Sequence, residues 1–287
     1  MTFYQSFKTR ILAHETLWLL FLALQTSLLV YYTGLSGWTL FSFGMIALVA
    51  GLVFCRNTFI RLGAYVLIMN GMFSALEYIS PLINPKGHVD DFLNHIDLSL
   101  FGRNLSIALE PFSHPILTEI LSVAYMLFML QLAYAFIWYL FQTGEKRQRF
   151  FVGLMSLYAI GFIGYILVPA YGPYMHLKDS FSDPLTAGIF RDLLNWCYPK
   201  GTNYTDVFPS LHCGVSLFIL GADYFYNKKS FKIWLPICIL LWFSTVYLRY
   251  HYTIDCLVGF VLAIICLYFM RHYHYKKGDT DDKRFVF

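Results

Sequence analysis

Charge is what this chain of 287 residues has least of: Asp, Glu, Lys and Arg together make up 13% of it. Soluble domains carry roughly 25%, so a water-filled surface around a large soluble core is excluded. The six cysteines, Cys55, Cys197, Cys213, Cys238, Cys256 and Cys266, never fall in a Cys-x-x-Cys spacing, which argues against a zinc ribbon or a disulfide framework. No contiguous basic face with interleaved aromatics exists, so the net charge of +4 is no sign of nucleic-acid binding. Internal repeats and low-complexity linkers are missing too. No small-residue cleavage site follows the first apolar run, so that run reads as an uncleaved span.

Apolar sequence is what remains: 58% of residues are hydrophobic and 20% aromatic. The runs are long and continuous, unlike the alternating segments of about ten residues in membrane β-barrels. An all-α polytopic membrane protein follows. Eight candidate spans lie near residues 16–33, 38–55, 58–79, 113–141, 150–169, 210–226, 231–248 and 252–271, each close to the ~20 residues needed to cross the hydrocarbon. Lysine and arginine collect at alternate connections: Lys8 and Arg10, Arg56 and Arg61, Lys146 to Arg149, Lys228 to Lys232, and the tail from Arg271. With eight spans all of these fall on one side, which should be cytoplasmic together with both termini. The long connections near 80–112 and 170–209 carry Asp90, Asp91, Asp97, Glu110, Asp179, Asp183, Asp192 and Asp206 and should face outward.

That outward side gathers the chemistry. Pro209-Ser210-Leu211-His212 opens the sixth span, and His251-Tyr252-Thr253-Ile254-Asp255 opens the eighth. The i, i+4 spacing of His251 and Asp255 predicts a shared helix face, with the carboxylate selecting the tautomer that leaves one ring nitrogen able to attack. Pro209 is suited to a first helical turn, which would set Ser210 and His212 at a helix N-terminus, where N–H groups and the dipole favour phosphate. His95, His114 and His176 read as interfacial residues with a wet end. The acidic run Asp90 to Asp97 reads as a solvated amphipathic surface segment. Glu77 and Gln131 read as polar residues that glue helices or line cavities.

Phe208-Pro209-Ser210-Leu211-His212 resembles the second motif of the type-2 phosphatidic acid phosphatase superfamily. Tyr247 to Asp255, followed by Gly259, resembles the third. The wording of both is most similar to the inositol phosphorylceramide synthase branch, as is Asp97 with Leu100-Phe101-Gly102. The resemblance runs from about residue 58 to 271 and implies a six-helix catalytic core, with 1–57 an added pair of spans and 272–287 a cytoplasmic tail. It implies cleavage of phosphate esters through a phosphohistidine, at a site facing away from the cytoplasm, with neither metal nor cofactor. His251 would be the nucleophile, Asp255 its orienting carboxylate, His212 the acid, and Ser210 a phosphate ligand. Two family features are absent. Tyr171-Gly172-Pro173-Tyr174 stands where Lys-x6-Arg-Pro is usual, and Thr245 stands where an arginine precedes the nucleophile by six. Because a phosphoryl site needs cationic or N–H stabilisation, Arg249 is the expected phosphate ligand, followed by Tyr174 and Lys178.

The expected function is therefore a membrane lipid phosphatase or phosphotransferase. Its partners are a lipid phosphate and, for transfer, an acceptor alcohol or lipid. A non-enzymatic lipid-binding or transport protein is the alternative from another class, and it predicts polar residues continuing through the spans to the cytoplasmic side.

Overall fold

In a bilayer every backbone N–H and C=O must be bonded within its own segment, and the apolar runs satisfy that demand as helices. A computed structural model describes residue 7 and residues 10–84, 87–182, 184–185, 187–197 and 206–275. Its principal helices are α1 (Ala13–Thr33), α2 (Gly37–Leu52), α3 (Thr58–Ile83), α4 (Asp90–Phe101), α5 (Pro115–Leu140), α6 (Gly144–Leu167), α7 (Ile189–Cys197), α8 (Leu211–Tyr226), α9 (Lys228–Tyr247) and α10 (Thr253–His272). Single helical turns occur at Leu105–Ala108 and Pro173–His176, and the described residues contain no strand.

All eight predicted spans form helices, and six of them, α1, α3, α5, α6, α9 and α10, are long and apolar enough to cross a membrane. α2 and α8 have 16 residues each, about 24 Å of rise against a hydrocarbon core of about 30 Å. Two boundaries differ from expectation. Lys146, Arg147 and Arg149 belong to the first turns of α6 and Lys228, Lys229 and Lys232 to those of α9. Long cationic side chains can extend a helix past the apolar run by reaching water or, as Arg147 does, by bonding to Thr58 and to the Leu140 and Gln142 carbonyls.

α6 is the central helix: 78% of its apolar window is buried, against 33–50% for the other five. α1 packs on it, where the Trp18 indole donates to the Met155 carbonyl at 3.1 Å and its ring meets Phe162 edge-on at 5.7 Å. Large apolar side chains such as Leu67, Leu130 and Ile264 point outward, each more than half exposed, as a lipid-facing surface requires. With lipid as solvent, helix pairing rests on close packing and small residues. α8 and α10 meet at Gly214 and Gly259, where a Cβ on Gly259 would sit 2.4 Å from the Ser210 carbonyl oxygen.

The basic residues meet at one end of this bundle. Arg61 of α3 forms a buried ion pair with Glu15 of α1 and donates to the Arg10 carbonyl. Arg147 donates to Thr58 Oγ1, and Arg149 to the Arg271 carbonyl. The histidine segments lie at the opposite helix ends.

Candidate active site

α4 organises the site end. Asp90 and Asp97 are seven residues apart, two helical turns, so they share a face, and both are buried. Asp90 accepts from the backbone N–H groups of Tyr171 and Gly172, at 3.0 and 2.9 Å, and from the Tyr252 hydroxyl at 3.0 Å. Asp97 accepts from Thr253 N–H at 2.8 Å and Ile254 N–H at 2.9 Å, closing the first turn of α10. The expectation of a solvated acidic segment is thus wrong for these two carboxylates. They are braces that bond donors left over at a loop and a helix start, while Asp91 remains exposed. Burial pushes the Asp97 pKa up in spite of the two N–H bonds.

The Tyr171–Tyr174 loop lies directly on the segment before His251. Gly172 has φ +83°, and a Cβ there would be 2.4 Å from the Tyr250 carbonyl oxygen. Only glycine meets both conditions. Tyr174 N–H donates to the Arg249 carbonyl at 2.7 Å. At the end of α9 the Thr245 carbonyl accepts from both Tyr250 and His251 N–H, each at 3.1 Å, so the position at which the resemblance implies an arginine builds the turn instead.

The turn brings His251 against His212: Nε2 of the first lies 3.4 Å from Nδ1 of the second. His212 is the second residue of α8. Ser210 caps that helix, its Oγ accepting from Cys213 N–H at 3.4 Å, and its own N–H donates to the Asp255 carbonyl at 3.0 Å. The cap is therefore Ser210, with Pro209 just outside the helix, where its ring packs on Gly164. Tyr125 Oη stands 3.3 Å from His212 Nδ1, and the rings of Tyr125 and Phe128 flank the imidazole.

Asp255 does not share a helix with His251 as predicted. α10 begins at Thr253, and Asp255 is its third residue, accepting from Tyr252 N–H at 2.8 Å. Its Oδ2 is 3.7 Å from His251 Nδ1, inside electrostatic reach but beyond a hydrogen bond. Burial pulls the His251 pKa down to about 4, while Asp206 and the Val207 carbonyl act in the opposite direction. The imidazole is thus uncharged at neutral pH, the form in which a ring nitrogen can attack.

The expected phosphate ligands are more scattered. Arg249 is buried, its Nη2 3.5 Å from Glu110 Oε1 and its guanidinium 3.8 Å over the Phe181 ring. Its charge is already matched by a carboxylate. Lys178 is exposed on the turn Lys178–Ser180, and Tyr174 faces Tyr250 with ring centroids 6.2 Å apart. Sequence reasoning passed over Tyr125, Tyr250, Glu119 and Arg191. The first two sit among many interfacial aromatics, and nothing local marks the others.

His212 is in the lining of an apolar cavity of about 620 Å³. Phe73, Tyr125, Met126 and Phe128 line it from the spans, with Phe190 and Leu194 from α7. Met129 and Leu130 on its wall are more than half exposed on the bundle's outer face.

The family model of the PAP2 superfamily matches residues 95–269, and the chain belongs to that superfamily of phosphohydrolase-type enzymes, phosphatases and phosphotransferases of lipid phosphates. It is a multi-pass membrane protein. No curated protein and no solved structure matches it.

Proposed function

We propose that this protein cleaves a lipid phosphate ester at the non-cytoplasmic face of its membrane through a phosphohistidine on His251. The observation that carries the reading is the pair of facing imidazoles, 3.4 Å apart, one of which, His212, lines an apolar cavity. One group in such a pair attacks while the other moves a proton, and the cavity suits a hydrocarbon chain lying beside its own phosphate.

His251 Nε2 attacks phosphorus, the P–N bond forms as the ester P–O bond breaks, and His212, entering as the imidazolium, gives its proton to the departing alkoxide and is left neutral. Water, deprotonated by His212, then attacks phosphorus and releases phosphate and the neutral imidazole. Asp255, 3.7 Å from Nδ1, favours the positive charge that builds on the ring during attack. The Ser210 hydroxyl and the start of α8 offer donors to the phosphate oxygens. The outward orientation rests on the basic residues joined at the far end of the bundle and the positive-inside rule.

If a second lipid's hydroxyl replaces water, the same first step yields transfer of the kind carried out by inositol phosphorylceramide synthases. The test supplies labelled phospholipid to purified protein in detergent, with and without an acceptor lipid or inositol. Free phosphate marks hydrolysis, and a new labelled lipid marks transfer. Full turnover by a folded His251→Ala variant would overturn the reading.

A further inference from the structure

Arg191 is the largest charged side chain with essentially no exposure, at 1%, and among the described residues no carboxylate pairs with its guanidinium. Its Nη1 donates to the Tyr250 hydroxyl at 3.2 Å, and the guanidinium carbon lies 5.8 Å from the Tyr250 ring and 6.0 Å from the Tyr174 ring. Its Nε bonds to nothing. Burying an arginine without an anion is costly, and the planar guanidinium fork is suited to bidentate recognition of a phosphate.

The surroundings say which anion. Tyr250 immediately precedes His251, and its ring is 4.9 Å from that of Tyr125, whose hydroxyl reaches His212. The neighbours of Arg191 on α7, Phe190 and Leu194, line the same cavity as His212. α7 is docked firmly. The Glu119 carboxylate of α5 accepts from the N–H groups of Gly188, Phe190 and Arg191 at 2.6–3.3 Å. Arg249, by contrast, already has Glu110.

We infer that Arg191 contacts the substrate phosphate, supplying the guanidinium that the family's usual arginine positions lack in this chain. α7 thereby reads both parts of the substrate, its arginine meeting the phosphate and its apolar residues the hydrocarbon chain. The inference rests on the phosphotransfer reading above.

The test uses the full chain in detergent, labelled phosphatidic acid as substrate and orthovanadate as a phosphate mimic. Arg191→Gln is expected to lower kcat/KM about a hundredfold, the scale of removing one partner of a buried charged contact. It should weaken orthovanadate inhibition about tenfold or more with the melting temperature near wild type. Arg191→Lys, which keeps charge but not the planar fork, should fall between. A purely structural arginine would leave orthovanadate affinity unmoved in folded protein. Should Arg191→Gln not fold, Arg191→Lys decides by the same inhibition. Variants that keep both kcat/KM and orthovanadate inhibition within about threefold of wild type overturn the inference. His251→Ala measured alongside separates the two failures: if it is inactive, only the role of Arg191 falls, and if it is active, the phosphotransfer reading falls with it.

Discussion

Nε2 of His251 faces Nδ1 of His212 across 3.4 Å, although 39 residues separate them along the chain. Neither histidine is held by a neighbour in sequence alone. His212 is fixed by the Ser210 cap of α8, and His251 by a turn whose N–H groups end on Thr245. α4 and the Tyr171–Tyr174 loop hold that turn from outside.

The pair should divide its labour in a visible way. His251→Ala should form no phosphoprotein. His212→Ala should lower kcat by about 10²–10⁴-fold, the usual contribution of a positioned acid, while retaining acid-labile phosphate on His251. Rapid quenching with labelled lipid measures both, and a His212→Ala variant turning over at the wild-type rate would remove the acid role.

The depressed pKa of His251 makes a pH prediction. Unfolded, this histidine binds a proton below about 6.5; folded, it does so only below about 4. Between those values the unfolded chain holds more protons, so its contribution to stability is full above about 6.5 and declines as pH falls through that window. The acid limb of kcat/KM attributable to His251 should lie near 4 and not near 6.5. Asp206→Asn removes a charge that raises this pKa and should move the limb lower still. An unmoved limb in that variant would contradict the electrostatic coupling.

Asp97 tests the brace. Asp97→Ala leaves two N–H groups of α10 without their acceptor and should cost about 1–3 kcal/mol, read as a lower melting temperature in detergent. Because those N–H groups belong to the turn following His251, kcat should fall with it. Asp97→Asn keeps one acceptor oxygen and should recover part of both. Asp97→Ala with wild-type melting would place the brace elsewhere.

Gly259 tests the distance between the helices that carry the histidines. A methyl group there would meet the Ser210 carbonyl at 2.4 Å, so Gly259→Ala must part α8 from α10. The expected cost is about 1–3 kcal/mol of overpacking, with a loss of turnover larger than the loss of fold, since His212 and His251 move apart together. Unchanged kinetics in Gly259→Ala would show that the helices yield elsewhere.

Much of this was legible in one dimension. The spans stand out because hydrocarbon demands continuous apolar helices, and motif residues His212 and His251 stand out because each opens such a run. Asp255 was legible as a neighbour of His251, but its bond was not. Spacing i, i+4 implies contact only within a helix, and the helix starts two residues after His251. The burial of Asp90 and Asp97 was likewise hidden, since an acidic segment looks the same whether its partners are water or the backbone of a distant loop.

The arginines mark the dividing line most clearly. By itself the sequence determined an all-α membrane protein with two histidines at one end of its helices, because solvent and helical period act on contiguous residues. Only the tertiary structure decided that Arg249, two residues from His251, turns to Glu110, while Arg191, sixty residues away, reaches Tyr250. A charge is satisfied by whatever the packing of remote segments brings within a few ångströms, and separation along the chain does not set that distance.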